Sequence, residues 1–257
     1  MYRVLKRFAM TKCRAAIAPR IRRDPPTHMA NAPNQLWSWD ITYMPSMVRG
    51  IFYFLYVILD IYSRKIVAYE IWPDQSAVHA SELLLRACRL ENIKPNSNLV
   101  LHSDNGAPMK GQTMLAMMQW LGVKPSFNRP RVSNDNAYSE SLFNTAKHHT
   151  PFRYPAYFES LTHCRMWAKK FVDWYNNENF NSGINYITPN SRHTGKDADI
   201  FSNRNLVLEN AKTMHPERWH GRPAKKWSLP NVVYLNPVNL KTKEKTQKSN
   251  EIFVQLA

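Results

Sequence analysis

The feature that most constrains the fold is the run from Ile51 to Leu59, nine consecutive apolar, β-branched or aromatic residues. A run of that length and composition reads as a strand covered on both faces. It is far too short for the ~20 residues of a membrane span. Just before it, Trp37, Trp39, Ile41 and Tyr43 alternate with Ser38, Asp40 and Thr42, the period of two of a strand, and Arg49-Gly50 makes the turn between them. Lys65–Trp72 returns as a third strand after a turn at Asp60–Arg64. A strand buried on both sides needs helices on both faces, and the chain downstream supplies them. Ser76 or Asp74 caps a helix from Ala77 to about Asn92, whose Ala80, Leu83, Leu84, Ala87, Cys88 and Leu90 form one apolar stripe. Leu99–His102 and Val123–Phe127 read as short strands, separated by a helix with Met114, Met117, Met118 and Leu121 that Gly122 closes. A further helix spans about Asn134 to Lys147, with Asp135 as a capping residue at its start. The expected class is α/β, a mixed five-stranded sheet flanked by helices.

The remaining chain divides by composition. Residues 1–35 are basic and broken by prolines, a short helix near Tyr2–Thr11 followed by an extended linker. The core is expected over 36–180, closing with a long amphipathic helix that carries Leu161, Cys164, Ala168, Phe171, Val172 and Tyr175 and ends near Asn177. Residues 181–237 read as an irregular extension rich in basic and aromatic side chains, and 238–257 as a mobile lysine-rich tail.

Thirty-five Lys and Arg against 19 Asp and Glu leave a formal charge of +16, which points to a polyanionic partner such as nucleic acid. A merely soluble basic protein, or a ribosome-associated one, shares that balance. Three widely spaced cysteines, Cys13, Cys88 and Cys164, suggest neither a disulfide framework nor a zinc site. No signal peptide opens the chain, so a cytoplasmic location is expected, and no GxxxxGK[ST] phosphate loop occurs.

Three carboxylates stand out. Asp40 lies mid-strand between apolar neighbours, where an acid costs stability unless it is paired or metal-bound. Asp104 follows a strand and opens an Asp-Asn-Gly turn, the usual place for site residues on open sheets. Glu140 shares a helical face with Asn136 and with Lys147, seven residues on. Hard oxygen ligands of this kind suit Mg²⁺ or Mn²⁺. Two such ions about 3.5–4 Å apart stabilise both oxygens of a phosphodiester displacement. Taken singly, each has a plainer reading: an edge-strand carboxylate, a turn residue, a solvated Glu–Lys face. His102-Ser103-Asp104 is no hydrolase triad, since adjacent strand residues point to opposite faces.

The segments Trp37-Ser38-Trp39-Asp40-Ile41-Thr42-Tyr43, Leu59-Asp60-Ile61-Tyr62-Ser63-Arg64, His102-Ser103-Asp104-Asn105-Gly106, Ser133-Asn134-Asp135-Asn136-Ala137 with Glu140, and Phe171-Val172-Asp173-Trp174-Tyr175-Asn176 resemble the OrfB-type transposases of bacterial insertion sequences, the IS-three family. Their catalytic core is in turn similar to that of retroviral integrases. The resemblance covers roughly residues 1–237. It implies a ribonuclease-H-like fold and two Mg²⁺ or Mn²⁺ ions on Asp40, Asp104 and Glu140, with Lys147 as the accompanying basic residue. It also implies DNA strand cleavage and strand transfer, double-stranded DNA at element ends and target, and a homo-oligomer on that DNA. Arg129 and Arg131, in the loop 128–133, and Arg218, Arg222, Lys225 and Lys226, within a basic stretch from Arg192 to Lys226, are the expected DNA contacts. One departure is that Asn179 and Asn181 stand where the family commonly carries histidines. The opening Met1-Tyr2-Arg3-Val4-Leu5 looks like the end of the family's helix-turn-helix region, so an upstream-frame helix-turn-helix protein is an expected partner. Two other readings remain: a catalytically silent remnant that only binds DNA or assembles with active subunits, and a ribonuclease H acting on RNA–DNA hybrids.

Overall fold

The computed structural model of the chain describes residues 2–7, 24–95, 97–130, 132 and 134–237. Arg131, Cys13 and the tail from 238 lie outside the described residues, as does part of the expected first helix. In chain order the elements are α1 (Tyr2–Arg7), β1 (His28–Ala30), β2 (Leu36–Pro45), β3 (Phe52–Asp60), β4 (Ile66–Trp72) and α2 (Ala77–Leu90). Then come β5 (Val100–Ser103), α3 (Ala107–Lys110), α4 (Gln112–Leu121), β6 (Lys124–Phe127), α5 (Ala137–His148) and α6 (Leu161–Asn177). α7 (Pro189–His193), α8 (Asp197–Met214) and β7 (Val233–Leu235) complete the order.

The main sheet runs β4-β3-β2-β5-β6. β2, β3 and β4 form an antiparallel meander, while β5 and β6 extend the sheet parallel to β2. This is the five-stranded mixed sheet flanked by helices that the strand and helix pattern predicts. The alternation in β2 divides the core. Trp37 and Trp39 face α2 and α4 with Tyr56, Ile58, Leu83, Leu84 and Met114. Met44 lies on the other face, which Leu55, Val57, Leu142, Phe171 and Tyr175 share with α5 and α6. Local signals behave as expected: the Ser76 hydroxyl accepts from the Val78 amide to cap α2, and Gly122 closes α4 at φ 70°.

Three expectations are corrected. Only the second half of the apolar run is buried on both faces, because β2 and β3 continue past the helices as a hairpin that leaves Met47, Val48, Ile51 and Phe52 exposed. The extension over 181–237 is not irregular, since it contains α7, α8 and β7. The eighteen-residue α8 buries only Phe201, so it lacks the apolar stripe that announces a packed helix. The linker is not simply extended either. Its β1 pairs antiparallel with β7, His28 opposite Leu235 and Ala30 opposite Val233, which ties the segment before the core to the end of the extension over Leu36 and Ile61.

Candidate active site

The three carboxylates come from three elements, and the local structure of each explains its placement. β2 and β5 run parallel with Trp39 opposite Ser103 at the end of their register. Neighbouring strands lie about 4.8 Å apart, so Asp104, just past the carboxyl edge of β5, comes beside Asp40 in the middle of β2. The Asp40 Oδ1 accepts from the Ile41 amide at 2.8 Å, and the Asp104 Oδ1 accepts from the Gly106 amide at 2.9 Å. Both bonds fix the carboxylates against their own backbones.

Glu140 reaches the same edge through a buried staple. The Ser38 hydroxyl donates to Asn136 Oδ1 at 2.5 Å and, having one hydrogen, accepts from the Ser139 hydroxyl at 2.7 Å. The Asn136 amide also donates to the Trp39 carbonyl at 3.4 Å. The first turn of α5 is thereby joined to β2 one or two residues before Asp40, and Glu140 follows Ser139 directly. Burial, above all, pushes the Asp40 carboxyl up to about 7; the Ile41 amide opposes this, and the charges of Asp104 and Glu140 add to it. Asp104 and Glu140 thus lie near enough to act on the half-buried Asp40, and the donors of the three are all hard oxygens. They fit divalent cations by charge and donor chemistry, although no three His, Cys, Asp or Glu side chains among the described residues are gathered closely enough to enclose an ion. Glu140 is exposed and makes no hydrogen bond among the described residues, so its side chain can swing toward a ligand. Lys147 stands two turns further along α5, about 10 Å up the axis, on the same side of the helix and partly buried.

Sequence reasoning passes over the Ser38–Asn136–Ser139 staple. Its signal is present all the same: Ser38 shares the strand face of Asp40, and Asn136 and Ser139 sit three apart before Glu140.

Asp135 is not the expected helix cap, and α5 begins without a side-chain cap bond. Instead its buried carboxylate takes the Arg129 backbone amide and Nε on one oxygen and Nη2 on the other, at 2.9, 3.0 and 2.9 Å. The pairing with Arg129, working against burial, holds the Asp135 carboxyl below the usual carboxylate range. Asp135→Asn therefore costs about 1.5–3 kcal/mol rather than the ~1 kcal/mol or less of a cap exchange, because a charge-assisted pair is broken inside the fold. Chemical denaturation at pH 7 reads that loss. The difference should shrink in acid, as the carboxylate protonates below its depressed pKa and the pair is lost in both proteins. Arg129 itself thus has a structural partner in its own loop.

Arg192 is also reassigned. Its side chain is buried, donates to Asp197 at 2.5 Å and to the Pro230 carbonyl at 3.0 Å, and lies 4.2 Å over the Tyr62 ring, so it fastens the extension to the core. Arg218, Arg222, Lys225 and Lys226 are by contrast all exposed, with Lys225 Nζ 3.7 Å from the Trp227 ring centre.

Residues 30–133 match the model of the integrase core domain, and residues 121–189 match a second integrase core domain model. Over residues 30–189, then, the chain is similar to integrase core domains. Over 161 residues the chain is 30% identical to the transposase for insertion sequence element IS904 of Lactococcus lactis, covering 62% of this chain and 61% of that protein. Over 118 residues it is 30% identical to transposase InsF for insertion sequence IS3A of Escherichia coli, covering 46% and 40%. The chain thus spans about 60% or less of these curated relatives. The catalytic core domain of BIV integrase aligns with a TM-score of 0.45 at 16% identity, over 65% of this chain and 99% of that one.

Proposed function

We propose that the chain is a transposase that cuts DNA and joins the cut strand to a new site, with Asp40, Asp104 and Glu140 as its metal-holding residues. The observation that supports this reading most is the parallel register that sets Asp104, just past β5, beside Asp40 of β2, with the first turn of α5 before Glu140 stapled to the same strand. Bound among these carboxylates, two Mg²⁺ or Mn²⁺ ions would neutralise the phosphodiester and activate the attacking hydroxyl, water in cleavage and a DNA 3′-end in joining. Asp40, on which the charges of both others act, would serve both ions, while Asp104 and Glu140 would each serve one. The Asp40 and Asp104 backbone bonds hold these oxygens in place before any ligand arrives, so that little ordering remains to be done on binding. Lys147 would hold a phosphate beside the scissile bond. No helix among the described residues is long and apolar enough to cross a membrane, and action on DNA accords with a cytoplasmic site of work. Assembly of several copies on paired DNA ends, and an upstream helix-turn-helix partner, belong to the same reading.

Arg218, Arg222, Lys225 and Lys226, exposed on a chain of charge +16, would add sequence-independent affinity for phosphates. Replacing all four by Gln is expected to flatten the dependence of log K on log salt by about 0.9 for each phosphate that is no longer neutralised. Substitution is the right tool. Truncation after 190 would remove Leu235 and Arg192 from the packed interior and confound binding with folding. An unchanged salt slope in the four-site variant would remove these residues from the DNA interface.

The test of the whole reading is a Mg²⁺-dependent strand-joining assay on element-end DNA with the purified chain, beside Asp104→Asn. Joined product from the wild type, and none from the variant, is the expected result. Equal product from both would exclude the carboxylate site.

A further inference from the structure

Glu140 makes no hydrogen bond or ion pair among the described residues, so its position depends on where α5 begins. That start is held from outside the main sheet by the β1–β7 ribbon. In the first turn of α5, two residues before Glu140, the Tyr138 hydroxyl donates to the Tyr234 carbonyl of β7 at 2.7 Å. The Tyr138 ring lies under the Arg64 guanidinium at 3.9 Å, and Arg64 Nη1 in turn donates to the Ile61 carbonyl at 2.8 Å. Just past β7, the Asn236 amide donates to the Asp135 carbonyl at 3.1 Å and to the Pro26 carbonyl at 3.3 Å.

A second route reaches the same carbonyl through the interior. His102 Nε2 lies 3.1 Å from the Asp135 carbonyl, which can only accept, so that nitrogen carries the hydrogen. His102 Nδ1 then accepts from the Ser126 hydroxyl at 2.9 Å, and Ser126 Oγ accepts from His28 Nε2 of β1 at 2.8 Å. The chain of donors runs one way, from β1 to the turn that leads into α5. Burial lowers the pKa of both histidines, in keeping with the neutral ring that the accepting Nδ1 of His102 requires.

We infer that the β1–β7 ribbon is a brace that positions Glu140 for metal capture, with Tyr138 and Asn236 as its positioning residues. The inference rests on Glu140 being a metal-holding residue. It assigns a catalytic consequence to two three-residue strands about 200 residues apart, which otherwise only close the fold. A helix whose first turn can shift carries its exposed carboxylate with it, so loosening the brace weakens metal capture before it weakens folding. Residues that orient metal ligands from behind typically change metal affinity by 10–100-fold.

The experiment uses the full chain with Tyr138→Phe and Asn236→Gly combined. Phe keeps the ring beneath Arg64 and removes only the hydroxyl. Gly removes the amide and tolerates the φ of 50° that Asn236 adopts. The Mg²⁺ concentration for half-maximal strand joining should rise about tenfold or more, and the rate at saturating Mg²⁺ should return to the wild-type value. Mn²⁺ binding measured by electron paramagnetic resonance should weaken by the same factor. Hydrogen exchange should accelerate at the amides of 138–142 and stay unchanged in β2 and β3. An unchanged metal dependence, or a loss that saturating Mg²⁺ does not recover, would overturn the brace as a positioning device. Glu140→Gln run in parallel separates the two layers. If it joins strands normally, the metal reading itself falls. If it is inactive while the brace variant retains wild-type metal dependence, only the brace falls.

Discussion

Glu140→Gln is expected to lower Mg²⁺-dependent strand joining by roughly 10³-fold, the equivalent of several kcal/mol of lost transition-state charge stabilisation. Folding should survive, because Glu140 is exposed and makes no hydrogen bond among the described residues. DNA binding should survive as well, since the substitution removes a negative charge from a site that approaches phosphate. The loss should appear in rate with little change in DNA affinity, a pattern that separates a metal-holding residue from one that holds the helix together. Asp135→Asn, five residues earlier, should do the reverse, lowering stability while leaving joining measurable in the protein that remains folded. Gel-based joining assays beside denaturation curves for both variants make the comparison. Wild-type joining by Glu140→Gln would contradict the assignment.

Asp40→Asn is expected to stabilise the metal-free protein. The Asp40 carboxyl is pushed from 3.8 to about 7 by burial first and then by Asp104 and Glu140. A folded-state pKa above the unfolded value means that the native state holds a proton the unfolded chain has already released. Stability is therefore undiminished below about pH 4, falls as pH rises, and has lost its full increment above about pH 7. A displacement of that size corresponds to at most about 4 kcal/mol. In a chain this long, each kcal/mol moves the melting temperature by about 2–4 °C. Without metal, Asp40→Asn should melt several degrees above the wild type at pH 8 and close to it at pH 4. Adding Mg²⁺ should raise the melting temperature of the wild type at pH 8 and do little for the variant, because the cation offsets the repulsion that Asn has already removed. Identical melting profiles with pH would show that Asp40 carries no such strain.

Much of the architecture is legible in the sequence because its signals are local. The period of two in Trp37–Tyr43, the apolar run through Leu59, the Ser76 cap and the Gly122 stop each report on a few neighbouring residues, and the structure honours them. The order of Asp40, Asp104 and Glu140 can be read for the same reason, since each stands in a strand, turn or helix with a clear pattern. What stays hidden is non-local. β1 and β7 are three residues each, and nothing in His28–Ala30 announces a partner at Val233–Leu235. α8 packs through little more than Phe201, so its periodicity is too weak to read. Asp135 at the start of a helix looks the same in sequence whether it caps or pairs, and only the loop that brings Arg129 back decides the matter. Arg192 reads in sequence as one more free cation, and only the fold places Asp197 and Tyr62 around it.

The central claim, that Asp40, Asp104 and Glu140 form one divalent-cation site, is tested most directly by Mn²⁺ binding to the DNA-bound chain followed by electron paramagnetic resonance. The expected result is two Mn²⁺ per chain in the wild type, at most one in Glu140→Gln, and none held tightly in Asp40→Asn. Equal Mn²⁺ binding by the wild type and both variants would contradict it.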